Sequence, residues 1–129
     1  MFNWRRPMNL GVKDGRLAPC RRTPNCVSSQ ADPADREHYI APIAFRGAMA
    51  DLRKAVESME RSTVVSAERN YLYAEYRSRL LRYVDDLELF YDERAGLVHV
   101  RSASRLGRRD FGVNRNRVEA LRSLIQAGR

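Results

Sequence analysis

Cys20 and Cys26 stand six positions apart around a Thr23-Pro24-Asn25 turn. That spacing lets their α-carbons come within the roughly 4.4 to 6.8 Å that a disulfide spans. Closing so short a loop contributes only about 2 kcal/mol, so a bond there would chiefly fix the loop's shape. Two inert buried thiols are one alternative, and a nucleophilic Cys26 whose thiol pKa is lowered by Arg21, Arg22 or a histidine is another. Two thiolates with only His38 and His99 elsewhere in the chain do not make a recognised zinc spacing. The pair also lacks the two-residue spacing of thioredoxin-like redox centres. Neither a metal nor a cofactor is expected.

A second run of chemistry-bearing residues lies between Arg101 and Arg117, where six arginines join Ser102, Ser104 and Asn114 around Gly107 and Gly112. A strand ending in a polar, glycine-punctuated loop and feeding a helix N-terminus presents free backbone N–H groups and the positive end of a helix dipole, which favour an anion. Arg101, Ser102, Ser104, Arg105, Asp110, Asn114, Arg115 and Arg117 are therefore the candidate ligand-binding residues, with Arg105, Arg115 and Arg117 expected to converge near Asn114. The competing reading is structural: the glycines serve turns, Asp110 pairs with an arginine and Asn114 caps the helix. The loop has neither the Walker spacing nor a dinucleotide fingerprint. In a third cluster, Asp85-Asp86-Leu87-Glu88, strand alternation sends Asp85 away from Asp86 and Glu88. Cross-strand pairing of Asp86 and Glu88 with Arg77 or Arg101 is favoured over a cation site or an acid/base pair. No catalytic residue is assigned; His38 and His99 read as surface or packing residues.

The elements that must position these residues follow from hydrophobic period. Residues 1–37 hold four of the five prolines and both cysteines and show no sustained period, so they read as an irregular arm packed on a domain of residues 38–129. His38 to Phe45 reads as a short edge strand, because Pro42 suits only an edge or a bulge. Phe45, Met49, Leu52, Val56 and Met59 recur at helical steps. Ser62–Glu68, Tyr71–Arg77, Val84–Tyr91 and Leu97–Ser104 read as strands, the last two joined by a hairpin loop at Asp92–Gly96. Leu72, Ala74 and Tyr76 share one face, and Tyr71, Tyr73, Glu75 and Arg77 the other. A last helix runs to about Gln126 with Val118, Leu121, Leu124 and Ile125 as its stripe. Asn114 suits its N-cap, with Val113 and Val118 as a hydrophobic staple. The predicted fold is α+β: an antiparallel sheet of four to five strands with two helices on one face, in the order β-α-β-β-β-β-α. The opposite face, with Tyr71, Tyr73, Glu75, Arg77, Asp86, Glu88, His99 and Arg101, is a natural ligand surface unless the arm covers it.

The chain has 129 residues, 43% apolar and 31% charged, which suits one core and excludes a disordered chain. Apolar runs fall well short of the roughly 20 residues a membrane-crossing helix needs. Net charge is +8, and of the 24 basic residues only Lys13 and Lys54 are lysine. Guanidinium suits carboxylate and phosphate partners, although a coding bias toward arginine is the alternative cause. Residues 1–30 carry +6 and −1 and residues 101–129 carry +8 and −2, so the charge concentrates toward both ends of the chain. An anionic small molecule or an acidic protein surface is the expected partner. Nucleic acid ranks below these, since no recognised nucleic-acid motif is present.

The same segments resemble a known family, the domain-of-unknown-function 1499 group of bacterial and plastid proteins. The resemblance rests on Cys20 with Thr23-Pro24-Asn25-Cys26-Val27-Ser28-Ser29, on His38 to Phe45, and on Asp85-Asp86 with Glu88. It extends through Arg101-Ser102, Ser104-Arg105, Gly107, Asp110, Gly112, Asn114-Arg115 and Arg117. It implies no reaction. It does imply a cell-envelope setting and an oxidised cysteine pair, because many similar proteins begin with a lipoprotein signal or membrane anchor. Met1 to Gly15 shows no such signal, which by itself suggests the cytoplasm. The expectation is a non-catalytic binding or accessory module with an arginine-rich anion or partner site. The alternatives are a hydrolase or thiol-dependent enzyme using Cys26 or Asp86/Glu88, and a nucleic-acid-binding protein.

Overall fold

Side chains that alternate between apolar and polar commit a strand to two unlike faces, and the central strands of this protein do so over most of their length. A computed structural model describes residues 5–80 and 83–128. Its elements are β1 (Cys26–Ser28), β2 (Ile43–Ala44), α1 (Met49–Glu57), β3 (Ser62–Ala67), β4 (Tyr71–Arg77), β5 (Val84–Asp92), β6 (Leu97–Ser104) and α2 (Val113–Ala127). The sheet is antiparallel with the order β1-β6-β5-β4-β3, and β2 also pairs with β6. The α+β class, the helices and the order from β2 to α2 are as the periodicity predicts.

One face carries the core. Leu72, Ala74 and Tyr76 of β4, Leu87, Leu89 and Tyr91 of β5, and Val98 and Val100 of β6 pack with Leu52 and Val56 of α1 and Val118, Leu121 and Ile125 of α2. Burial of so many large aliphatic side chains, at roughly 1.5–3 kcal/mol each, is what holds the helices on this face.

Four local details differ from the sequence reading. Within the segment read as irregular, Cys26–Ser28 form a strand, paired Cys26 to Ala103 and Ser28 to Arg101; three residues are too short a stretch to show a period. Phe45 precedes α1 instead of opening it. Its N–H bonds the Gly96 carbonyl at 3.0 Å, continuing the contact of β2 with β6, and its ring packs on Tyr91. The N-cap of α2 is Gly112, in the left-handed region at φ 80°, and not Asn114, which is fully buried in the first turn. Val113 and Leu124 stand exposed, so there is no staple and the buried stripe is Val118, Leu121 and Ile125.

The polar face is not open, because the arm crosses it. Arg6 Nε donates to Glu75 Oε2 at 2.8 Å, the Gly11 N–H to Glu88 Oε2 at 2.7 Å, and Arg101 Nη2 to the Pro19 carbonyl at 3.4 Å. Glu75, Asp86, Glu88 and Arg101 are all buried beneath it.

Candidate functional site at the loop end of the sheet

Strand alternation divides the predicted arginine site between the two faces. Arg105 turns to the polar face, where it donates from Nε to Asp86 Oδ2 at 2.9 Å and from Nη2 to Glu75 Oε2 at 2.6 Å. Tyr73 sits between the same two carboxylates, donating to Asp86, and its hydroxyl also receives Arg105 Nη2 at 3.1 Å. Burial and those two carboxylates push the Tyr73 phenol up, keeping it neutral. Burial alone would raise Glu75. Hydrogen bonds from Arg6, Tyr73 and Arg105 outweigh it and hold the carboxyl at about 2. Beside this cluster Arg101 Nη1 approaches Glu88 Oε1 at only 3.7 Å, and Glu88 takes its shorter bonds from Tyr71 at 2.6 Å and Gly11. Burial draws the Arg101 pKa down against the charge of Glu88.

On the helix face Asn114 is a hub. Its Oδ1 accepts from Ser102 Oγ at 2.6 Å and Arg117 Nη1 at 2.8 Å, and its Nδ2 donates to Ser104 Oγ, Asp110 Oδ2 and the Asn25 carbonyl. Arg117 Nη2 bonds Asp85 Oδ2 at 2.8 Å, with its guanidinium 4.5 Å from the centre of the Tyr76 ring. Asp110 is the cap that α2 needs, accepting the N–H groups of Gly112 and Asn114. Arg115 points elsewhere, to the carbonyls of Arg36 and Glu37. Ser102, Ser104, Asp110, Asn114 and Arg117 thus meet, whereas Arg101, Arg105 and Arg115 do not join them, and the expected convergence of Arg105, Arg115 and Arg117 does not occur. The physical reason is that residues 101 and 105 fall on the opposite side of the pleat from 102 and 104.

Asn25 is a partner that the sequence reading did not single out alone. Its Nδ2 donates to the carbonyls of Leu106 and Gly107 at 3.2 and 2.7 Å, and Thr23 Oγ1 bonds its Oδ1. Cys20 and Cys26 are joined, with α-carbons 5.7 Å apart. The closed loop is held a second time by His38, whose Nε2 meets the Thr23 carbonyl at 3.0 Å and whose Nδ1 meets Asp35 Oδ2 at 2.8 Å. Two acceptors on one imidazole suit the doubly protonated ring. Burial lowers the His38 pKa, but Asp35, the Thr23 carbonyl and Glu37 outweigh it and the net shift is upward.

Above the Asn114 hub opens a cleft of about 760 Å³, between the α1–β3 turn, the β4–β5 turn, the loop after β6 and the first turn of α2. Tyr76, Asp85 and Arg117 line its inner part, and Tyr83, Leu106, Phe111 and Val113 stand exposed around it. Phe111 is 92% exposed at φ 54°, in a region that bulky residues avoid. Burial pushes the Tyr76 phenol up to about 12, against the pull of Arg117. Arg109 also lines the cleft, and no carboxylate of the described residues lies within salt-bridge distance of it.

These features fall on the segments that carried the resemblance, and the family model described as Protein of unknown function (DUF1499) matches residues 16–125. The chain belongs to the DUF1499 family. No curated protein and no solved structure matches it. In this DUF1499 domain no group of three His, Cys, Asp or Glu side chains among the described residues is placed to hold a metal ion. Among the same residues no helix is long and apolar enough to cross a membrane.

Proposed function

We propose that the domain is a binding module and that the cleft above Asn114 takes an amphiphilic anion, its apolar body against Tyr83, Leu106 and Val113 and its charged group at Arg109. The observation that carries this reading is the pairing, in one cleft of about 760 Å³, of exposed apolar walls with an arginine lacking an internal counter-charge. That volume lies within the roughly 300–1,000 Å³ of small-molecule sites, which are mostly apolar with a few placed polar groups. The inner polar groups are already matched to one another, Arg117 to Asp85 and Asn114 to Ser102, so the cleft has a preset shape. Of the predicted residues, Ser104, Asp110 and Arg117 line it.

A binding role is supported over a catalytic one by what engages the candidate nucleophile and acids. The Cys26 sulfur is bonded to Cys20, Asp86 is held by Arg105 and Tyr73, and Glu88 is fully buried under Tyr71 and Gly11. The test is a thermal-shift titration with decanoate below its micelle concentration, beside acetate and methyl decanoate. Decanoate should raise Tm while the other two do not. Arg109→Ala should weaken the response about tenfold, the scale of one charge-assisted hydrogen bond, and Asn116→Trp, which fills the cleft from the exposed side of α2, should remove it. An equal response to acetate, or an unchanged response in Asn116→Trp, would remove the proposal.

A further inference from the structure

Strand register brings five segments to one end of the sheet. Arg77 pairs with Val84, Asp85 with Ser104, Cys26 with Ala103 and Ser62 with Tyr76. The β4–β5 turn, the loop after β6, the disulfide loop, the α1–β3 turn and the start of α2 therefore share that end. Nine large hydrophobic side chains stand exposed among the described residues, and Leu80, Tyr83, Leu106, Phe111 and Val113 are five of them. Leu80 and Phe111 are 87% and 92% exposed, both on turns, Phe111 at the rim of the cleft and Leu80 outside it. In the same segments stand Arg79, Arg108 and Arg109, all exposed. No carboxylate of the described residues lies within salt-bridge distance of any of the three. The carboxylates nearby are engaged: Glu60 pairs with Arg61, and Asp110 caps α2.

We infer that this end of the domain docks on an anionic lipid surface, with Leu80 and Phe111 entering the boundary between headgroups and acyl chains and Arg79, Arg108 and Arg109 meeting lipid phosphates. Protruding apolar side chains set among cations are what an interfacial element needs: apolar contact gives depth and cations give attraction to anionic headgroups. Guanidinium suits the phosphate oxygens by forming two parallel hydrogen bonds. The geometry favours lipid over an acidic protein because Leu80 and Phe111 protrude from turns almost fully exposed. A protein partner would be expected to bury them against a flat core ringed by polar groups. A turn that needed only a left-handed residue would be better served by glycine than by Phe111. The docking face shares Phe111 and Arg109 with the cleft, and Leu80, which does not line the cleft, distinguishes the two.

Co-sedimentation of the whole chain with phosphatidylcholine vesicles, alone or mixed with phosphatidylglycerol, tests the docking face. Binding should require phosphatidylglycerol and weaken with added salt. Arg108→Ala should lower partition about fivefold, the worth of one cation near an anionic surface. Leu80→Ser and Phe111→Ser should each lower it about tenfold, the lower end of what burying such a side chain contributes. These positions are exposed, and circular dichroism of each variant checks that the fold is kept. Equal partition of Leu80→Ser, Phe111→Ser and wild type would overturn the inference. So would binding to a DNA duplex that matches vesicle binding in strength and is indifferent to Leu80→Ser. The two proposals fail separately: a wild type silent to decanoate removes the cleft reading alone, and partition indifferent to Leu80→Ser removes the docking face alone.

Discussion

Arg105 is tied to Asp86 and Glu75 at 2.9 and 2.6 Å with its side chain almost wholly buried, so its role is to neutralise two carboxylates that could not otherwise leave water. Removing one member of such a cluster strands the opposite charges, and Arg105→Ala should cost about 3–5 kcal/mol in urea denaturation. Arg105→Lys should recover only part of this, because an ammonium cannot address two carboxylates with a planar fork. The sign for acid follows from Glu75, whose pKa is lowered from 4.5 to about 2 on folding. Its stabilisation is present above the unfolded value and is lost as pH falls through the folded one. Arg105→Ala should therefore also flatten the loss of stability over that acid range. A variant within 1 kcal/mol of wild type, a bound set by the usual spread of surface substitutions, would mean that the cluster is not what holds the polar face.

The short strand β1 shows how an element with little propensity of its own is held by its surroundings. Its three residues pair with β6, the Ser28 N–H bonds the His38 carbonyl at 2.7 Å, and the Ser29 N–H bonds the Val100 carbonyl at 2.9 Å. The disulfide and His38 fix the loop that leads into it. His38 has a raised pKa, so its contribution is complete below the unfolded value near 6.5 and fades as pH rises through the folded value. Asp35 and Glu37 are the charges that face it. Reducing the disulfide should cost about 2 kcal/mol and leave the sheet formed. The His38 contribution should add to this, so that reduced protein above the histidine titration is the least stable of the four combinations of redox state and pH. Denaturation midpoints under those four conditions check it; loss of the fold on reduction alone would show that the bond does more than shape a loop.

At the scale of the molecule, the basic character divides into arginines paired with carboxylates, such as Arg105 and Arg117 inside and Arg53 and Arg61 outside, and an exposed set that no carboxylate of the described residues meets. The two ends of the sequence meet because β1 pairs with β6 and Asn25 bonds the carbonyls of Leu106 and Gly107. The part of the arm that crosses the polar face contributes a cover and not a core: of the described residues before Val27 none belongs to the main hydrophobic cluster, whereas Val27 itself does. A chain that starts at Lys13 should fold and lose about 1–3 kcal/mol, the scale of the charge-assisted bonds that Arg6 and Gly11 make to Glu75 and Glu88. Calorimetry of the shortened chain measures this; an unchanged Tm would mean that the arm's bonds contribute nothing net.

The sequence by itself determined the elements from β2 to α2 and most of their faces, because local period requires no partner to be read. Leu72, Ala74 and Tyr76 had to share a side, and the helical step grouped Val118, Leu121 and Ile125, although it also included Leu124, which stands exposed. It also determined the family, through clustered cysteines, glycines and arginines whose spacing is specific. The tertiary structure decided the partners. That Asn114 would serve as a buried hub and leave the cap to Gly112 and Asp110 depends on Asn25 arriving from 89 positions away. That Arg105 would be neutralised depends on the side of the pleat it keeps as β6 ends, and Arg109 meets no carboxylate of the described residues because it lies out on the loop that follows. Long-range pairing follows from chain topology and the exclusion of unpaired charge from the interior, and neither is written in the period of a single segment.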